Sequence, residues 1–175
     1  MSLISRLMFD FCYFTRRLEG VIPQPILMVY EEAHKYAPKS GLSRYKASLA
    51  AIERIAKEGR KYGISQLISS QRPSEISETI FSQCSNFLAM RLTNPDDQSY
   101  VRRLLPDTLG NLTEGMPALE QGEALLIGDS VTMPSVVYVE KCSPEPSSSD
   151  IRYFNLWKEQ WKDIDFEGRV ENWRK

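Results

Sequence analysis

The sequence predicts an α/β fold in which helices flank a mainly parallel, twisted sheet, and three observations predict it. The short apolar run at residues 25–30 is typical of a strand buried on both faces of a parallel sheet. A helical pattern follows over about residues 45–62, and a second apolar run at residues 64–70 comes directly after it. This strand, helix, strand order indicates a right-handed β-α-β crossover, the unit that builds parallel sheets.

The other elements follow from periodicity and helix caps. Leu7, Phe11, Phe14 and Leu18 recur at helical spacing and predict an amphipathic helix over about residues 4–18. Gly63 is expected to end the helix that begins near residue 45, because glycine readily adopts the backbone conformation found after a last helical turn. Further helices are expected at 74–82, 94–105 and from 106, with strands at 86–92, 123–127 and 135–140.

We expect one domain over residues 1–141, then a linker and an aromatic tail. Residues 142–150 read CSPEPSSSD, a composition typical of a linker. The tail, residues 151–175, contains Trp157, Trp161 and Trp173. We expect these side chains to dock on a domain of this subunit or of a neighbouring one rather than to bind a ligand.

Composition excludes several classes of protein. A net charge of −1 gives no overall attraction to nucleic acid, so contact with DNA would need local patches or assembly. The three cysteines have no CxxC spacing, which argues against a disulfide framework or a zinc site and favours a reducing cytoplasm. No apolar run is long enough to span a membrane, and Arg6 and Asp10 interrupt the N-terminal segment where a signal peptide would be apolar.

Two carboxylates and the single histidine of the chain follow the first predicted strand, in the series Glu31-Glu32-Ala33-His34. Open α/β sheets bind ligands at the carboxyl ends of their strands. A phosphoryl-transfer ATPase needs one carboxylate near Mg²⁺ and another that orients or deprotonates the attacking water. The series therefore looks like a Walker B box of the DEAH type, with Glu31 in place of the usual Asp. The alternative is a buried strand whose polar end marks a loop.

The sequence contains no P-loop, the G-x-x-x-x-G-K-[ST] segment that wraps nucleotide phosphates. No Gly-Lys pair occurs in the chain. Gly110 and Gly115 have the required spacing, but Met116 and Pro117 follow where Lys and Ser or Thr are needed. We therefore expect the second half of an ATPase core without its N-terminal Walker A portion, and no activity from this chain alone.

Two stretches resemble a known family. The series EEAHKYAP at 31–38 and ERIAKEGRKYGISQLISSQRPSEISETIFSQCSNFLAMRLTNPDDQSYV at 53–101 resemble, in order, the C-terminal half of the HerA ATPases. These belong to the HerA–FtsK branch of P-loop translocases. The resemblance implies a RecA-like P-loop NTPase core that uses ATP and Mg²⁺, forms a ring (a hexamer in the parent protein) and moves along duplex DNA. It also implies a nuclease or effector partner in DNA processing or in defence against foreign DNA.

Four positions receive roles from the acidic box and from this resemblance. Glu32 is the expected catalytic carboxylate, and Glu31 is expected beside Mg²⁺, directly or through a water. His34 is a candidate for orienting the loop or contacting a phosphate, with a structural role as the alternative. Gln71 is the expected sensor of the γ-phosphate, because its amide both donates and accepts hydrogen bonds; the alternative is a cap on the helix near Ser74.

Arg54 and Arg60 are candidates, by the resemblance, for the arginine that one subunit inserts into its neighbour's nucleotide site. Such an arginine contributes up to about 10³–10⁵ in rate. On a regular helix Arg60 points about 120° away from Arg54, so the two do not easily serve one site. A solvated basic face is the alternative for this helix.

Three functional interpretations stay open. The absent P-loop favours a non-catalytic oligomerisation or partner-binding domain for this chain, whereas the acids, Gln71 and the arginines favour a DNA-translocating ATPase for the parent protein. A DEAD/DEAH helicase is the third, and the series over 58–98 argues against it. Without the strands of the Walker A portion, an apolar sheet edge and face would be exposed, which predicts association or poor solubility.

Overall fold

The computed structural model describes residues 2–20, 22, 24–39, 46–104, 114–146, 151–159 and 165–174. It divides into two compact units, Met1–Glu140 and Lys141–Lys175. Among the described helices, none is long and apolar enough to cross a membrane. The predicted short helix at Pro106 and the side chain of Trp161 lie outside the described residues.

Helices and strands alternate through the first half of the larger unit, as predicted. Helix α1 spans Ser2–Thr15 and strand β1 spans Ile26–Tyr30. Helix α2 spans Lys46–Glu58, and strand β2 spans Ile64–Ile68. The later elements are α3 (Glu78–Ser82), β3 (Asn86–Ala89), α4 (Pro95–Leu104), β4 (Glu123–Gly128) and β5 (Ser135–Tyr138).

The described strands form two sheets. Strands β1 and β2 are parallel, in a register that pairs Ile26 with Ile64 and Tyr30 with Ile68. Strands β3, β4 and β5 form an antiparallel sheet in that order. The parallel sheet of the predicted α/β fold is formed by β1 and β2, while β3, β4 and β5 add an antiparallel sheet.

Helix α1 exists as predicted, but it buries a different face. Ser5, Phe9 and Cys12 are buried, and Phe9 and Cys12 pack with Ile55 of α2 and Ile64 of β2. The predicted apolar stripe is exposed instead, as seen for Leu7, Phe11, Phe14 and Leu18. The helix is apolar on both sides, so helical spacing alone did not identify the packed face.

The prediction that the first strand is buried on both faces is wrong for this structure. Leu27 and Val29 of β1 are 60% and 54% exposed, and Leu67 of β2 is 53% exposed. The opposite face is covered: Tyr30 is fully buried with Ile52, and Met28 packs against the same cluster. One face of the β1–β2 sheet is therefore packed on helices, and the other presents large apolar side chains.

Two glycines shape the end of α2. The helix tightens into a 3₁₀ turn over Gly59–Tyr62, and Gly63 follows with a φ of 78°, as the predicted C-terminal glycine. A Cβ atom on Gly59 would lie 2.5 Å from the carbonyl oxygen of Ile64, so only glycine lets α2 approach β2 this closely. These positions fix the direction in which Arg60 leaves the helix.

The smaller unit contains two short helices, α5 (Tyr153–Leu156) and α6 (Phe166–Arg174). The Trp157 and Trp173 side chains are 80% and 88% exposed. Docking of these aromatic side chains therefore stays a prediction.

Candidate active site

The carboxyl ends of β1 and β2 meet at one edge of the parallel sheet. The Ala33 N–H donates to the Ser69 carbonyl oxygen at 2.9 Å, and the Ser69 N–H donates to the Tyr30 carbonyl oxygen at 2.9 Å. These bonds continue the strand pairing past the last ladder residues. They bring the segment at Glu31 and Glu32 beside the segment at Ser70, which is where a parallel sheet binds ligands.

Glu32 has an unusual backbone. Its φ and ψ are 52° and 46°, the left-handed helical region, and no other non-glycine residue in the described part of the chain has a positive φ. This conformation costs a residue with a Cβ about 1–2 kcal/mol. Such strain concentrates at functional sites, where the surrounding structure holds it.

His34 lies between the two segments. Its Nδ1 atom is 3.0 Å from Ser70 Oγ and 3.5 Å from Glu32 Oε2. The His34 and Glu32 side chains are 14% and 29% exposed, so water screens this contact only partly. The ring of His34 therefore contacts side chains of both loops, and its role in orienting a loop or contacting a phosphate stays a prediction.

The loop after β2 is held by its own hydrogen bonds. The Arg72 N–H donates to Ser70 Oγ at 3.0 Å, and the Arg72 guanidinium donates to Glu75 Oε1 at 2.7 Å. This bond to Glu75 raises the pKa of Arg72 above its ordinary value. Gln71 lies between these anchors with an exposed side chain, at the strand end where a phosphate sensor is expected.

The alternative role for Gln71, a cap near Ser74, is filled by another residue. The Ser74 N–H donates to Asp97 Oδ1 at 2.9 Å. Asp97 belongs to α4 and is buried. The side-chain amide of Gln71 is therefore not needed for this hydrogen bond.

The two candidate arginines have different surroundings. The Arg54 guanidinium lies over the Phe9 ring and also reaches Asp10 and Glu58. Arg60 is exposed on the 3₁₀ turn and forms no ion pair with an acid in the described ranges. The predicted angle between them assumed a regular helix through residue 62. That assumption is wrong, because the helix tightens after Glu58 and each 3₁₀ residue turns the chain by about 120°.

A magnesium ion at this edge would have to rely on few protein ligands. Within the described residues no group of three or more His, Cys, Asp and Glu side chains could hold a metal ion by itself. Mg²⁺ at nucleotide sites usually keeps several waters and takes only one or two carboxylates together with substrate phosphates. The exposed Glu31 is the carboxylate expected beside such an ion. The positive charge of the ion would offset the negative charge of the phosphate oxygens.

Sequence reasoning missed Ser69 and Ser70. Because Tyr30 pairs with Ile68, the strand register places these two serines beside the residues that follow β1. Once that register is known, counting forward aligns Ser70 with Glu32. The register itself depends on tertiary packing, which the sequence pattern does not give.

No protein-family model matches the chain. Curated relatives do match. The chain is 36% identical over 151 residues to the DNA double-strand break repair helicase HerA of Sulfurisphaera tokodaii, which covers 85% of this chain and 30% of that protein. It is 34% identical over 138 residues to a probable helicase of Methanocaldococcus jannaschii, covering 79% of this chain and 26% of the relative. The chain thus spans less than a third of the length of these relatives.

Solved structures share the fold at low sequence identity. The genome packaging NTPase B204 of Sulfolobus turreted icosahedral virus 2, solved with ATP-gammaS, aligns with a TM-score of 0.59 at 11% identity. The alignment covers 80% of this chain and 62% of B204. The B204 packaging ATPase of Sulfolobus turreted icosahedral virus aligns with a TM-score of 0.57 at 14% identity, over 79% and 61% of the two chains. The chain is therefore a HerA-like segment with the α/β fold of P-loop NTPases.

Proposed function

We propose that this chain is the part of an ATP-driven DNA translocase that supplies the water-activating half of the nucleotide site. One observation carries the proposal. Glu32, in a strained backbone conformation, lies at the end of β1 beside the Ser70–Gln71 end of the neighbouring parallel strand. A carboxylate and a polar sensor on adjacent strand ends are the parts that ATP hydrolysis requires on this side of the nucleotide.

In this proposal Glu32 orients and deprotonates the attacking water, and Gln71 contacts the γ-phosphate. Glu31 holds Mg²⁺, directly or through a water. A P-loop outside these 175 residues binds the phosphates, since the sequence has no Gly-Lys pair.

Arg60 is the arginine that we propose acts on a neighbouring subunit's nucleotide. Its guanidinium is exposed, while the Arg54 guanidinium is held by contacts within its own chain. A residue that reaches across an interface must be free to leave its own surface, and Arg60 meets that condition. The proposal therefore includes a ring assembly, with a hexamer as the expected form.

The names of the relatives support a role on DNA. Two of the matching proteins are described as a repair helicase for double-strand breaks and as a probable helicase. We propose that the assembled protein moves along duplex DNA in DNA processing or in defence against foreign DNA, with a nuclease or effector as partner.

A second candidate is a non-catalytic domain that uses the ATPase scaffold for oligomerisation or partner binding. The exposed apolar face at Leu27, Val29 and Leu67 favours it, because large exposed apolar patches mark interaction surfaces. Glu32 has no catalytic role in this second candidate, so the two candidates predict different rates of ATP hydrolysis for Glu32→Gln.

The test measures Mg²⁺-dependent ATP hydrolysis with duplex DNA present. The chain is assayed alone and after fusion to the P-loop-bearing part of the Sulfurisphaera tokodaii HerA helicase. We expect turnover only in the fusion, and its loss in Glu32→Gln with nucleotide binding retained. A fusion that assembles and binds ATP but does not hydrolyse it, or one that hydrolyses equally well as Glu32→Gln, would establish the non-catalytic interpretation.

A further inference from the structure

The imidazole of His34 faces two oxygen atoms from two different segments. Its Nδ1 atom is 3.0 Å from Ser70 Oγ, on the loop after β2, and 3.5 Å from Glu32 Oε2, on the loop after β1. Both loops are fixed relative to each other, since the Ala33 N–H donates to the Ser69 carbonyl oxygen at 2.9 Å. The ring therefore bridges the ends of the two parallel strands.

The surrounding charges decide which form of the ring is favoured. If Nδ1 carried a lone pair, that lone pair would face the Glu32 carboxylate, and the two would repel. If Nδ1 carries the proton, it is attracted to both the carboxylate and the Ser70 hydroxyl oxygen. Ser70 Oγ is already an acceptor, because it receives the Arg72 N–H at 3.0 Å. A hydroxyl oxygen has two lone pairs and accommodates both donors.

We propose that His34 is a positioning residue whose Nδ1–H ties the Glu32 carboxylate to Ser70 and so to the loop that carries Gln71. This inference rests on the proposed function, because Glu32 must be the water-activating carboxylate for its position to matter. The contact holds the carboxylate in a fixed position relative to the segment that carries Gln71.

The backbone of Glu32 explains why its carboxylate needs this contact with His34. At φ 52° the backbone of Glu32 departs from the extended conformation of β1, so the strand does not fix where its side chain points. Since a misplacement of about 1 Å costs roughly 10²-fold in rate, a catalytic carboxylate on such a kink needs a second contact to fix it. Among the described residues, the His34 ring supplies such a contact, with Nδ1 3.5 Å from Glu32 Oε2.

The protonation of the ring is measurable without ambiguity, because His34 is the only histidine in the chain. Long-range ¹H–¹⁵N spectra of the purified ¹⁵N-histidine-labelled chain, recorded under alkaline conditions, report which nitrogen of the neutral ring carries the proton. We expect the Nδ1–H form, and a smaller share of that form in Ser70→Ala and in Glu32→Gln. The exposed neighbour Lys35, as Lys35→Gln, is the matched control and should leave the spectrum unchanged. A wild-type ring protonated only on Nε2 would overturn the proposal.

The second measurement distinguishes a positioning role of His34 in catalysis from a purely structural role. Asn places its side-chain N–H near the position of Nδ1, whereas Gln places it near Nε2. In the hydrolysing fusion, His34→Gln and Ser70→Ala should lower kcat by about 10²-fold with KM for ATP unchanged, and His34→Asn should recover most of it. Wild-type kcat in His34→Gln, together with an inactive Glu32→Gln, refutes this inference alone. Full activity in Glu32→Gln refutes the proposed function as well.

Discussion

The guanidinium of Arg54 lies over the aromatic ring of Phe9, with its central carbon 4.2 Å from the ring centroid. Phe9 is 2% exposed, so the contact joins the surface of α2 to the buried side of α1. The same guanidinium lies 4.0 Å from Asp10 and 3.9 Å from Glu58. Arg54 therefore stabilises the packing of two helices in its own chain, and this is why we assign the proposed role between subunits to Arg60.

Alanine variants of the two arginines should separate these roles. Arg54→Ala should lower the free energy of unfolding by about 1 kcal/mol, because a partly exposed cation–π contact and two weak ion pairs are lost. Arg60→Ala should leave unfolding unchanged but lower ATP hydrolysis in the assembled fusion by about 10³-fold or more. Urea unfolding and ATP turnover measure the two effects. The opposite pattern, with Arg54→Ala stable and inactive and Arg60→Ala active, would assign the intersubunit role to Arg54.

Replacing Glu32 by glycine should relieve the backbone strain at this position while it removes the proposed catalytic carboxylate. Glycine adopts a φ of 52° without strain, whereas every residue with a Cβ pays for it. Glu32→Ala is the matched control, since it also loses the carboxylate and the contact with His34. We expect Glu32→Gly to unfold at a free energy about 1 kcal/mol higher than Glu32→Ala. Equal stability of the two variants would mean that the backbone at residue 32 is not strained.

The element order could be predicted from the sequence because it depends on local patterns. Gly63 ends its helix as expected, and Asn94 caps α4, where its Oδ1 accepts the Asp96 N–H at 2.8 Å. An exposed apolar sheet face was expected from the missing strands, but the pattern does not show which residues lie on it, because Leu27 and Val29 are as apolar as any buried strand residue. Whether such a face is covered depends on what packs against it, and the strand itself carries no signal of that.

The sequence nominates the residues of the candidate site but not their contacts. Glu32, His34 and Gln71 are candidates because they follow the ends of apolar runs, and strand ends are where polar side chains meet ligands. The bond between His34 and Ser70 depends on a strand register set by packing. The direction of Arg60 depends on the 3₁₀ turn over Gly59–Tyr62, which the helical pattern in the sequence did not predict.

Gly59 should tolerate no side chain, for a reason different from that at Gly63. A Cβ at position 59 would lie 2.5 Å from the backbone oxygen of Ile64, whereas at position 63 the nearest atom is 3.9 Å away. Gly59→Asn and Gly59→Ala should both cost about 1–3 kcal/mol of unfolding free energy through overpacking. At Gly63 only the φ of 78° matters, so Gly63→Asn should be milder than Gly63→Ala. Thermal unfolding of the four variants checks this, and a harmless Gly59→Ala would exclude the close approach.

Tyr100 should make stability depend on pH at the alkaline end. Burial, with a smaller effect from the Glu78 charge, raises the pKa of Tyr100 to about 12. The unfolded chain releases this proton near the ordinary value of about 10, so the unfolded state is favoured as pH rises from about 10 to about 12. The contribution of Tyr100 is fully present below about pH 10, and the loss is on the order of 1–2 kcal/mol.

Other groups titrate in the same range, so the comparison is with Tyr100→Phe. The variant loses the hydroxyl that donates to the Ile76 carbonyl oxygen at 3.3 Å, a cost that applies at every pH. Urea unfolding of both proteins at about pH 9 and about pH 11.5 gives the difference attributable to Tyr100. The wild type should lose more stability than the variant over this interval. Parallel losses would show that Tyr100 ionises at its ordinary pKa in the folded chain.

The exposed face of the β1–β2 sheet should drive self-association of the isolated chain. Val29 and Leu67 are partners in the strand register, and both are more than half exposed. Together with Leu27 they form an apolar patch on a sheet whose edges can pair with another chain. Val29→Thr with Leu67→Thr keeps residues that favour strands and makes this face polar, so sedimentation velocity should show fewer oligomers.

Met28→Thr, on the opposite and packed face, is the control: it should lower stability by about 2 kcal/mol or more and leave association undiminished. If the double variant associates as strongly as the wild type, the contact between copies lies elsewhere, and the exposed face of α1 at Leu7, Phe11 and Phe14 is the next surface to change.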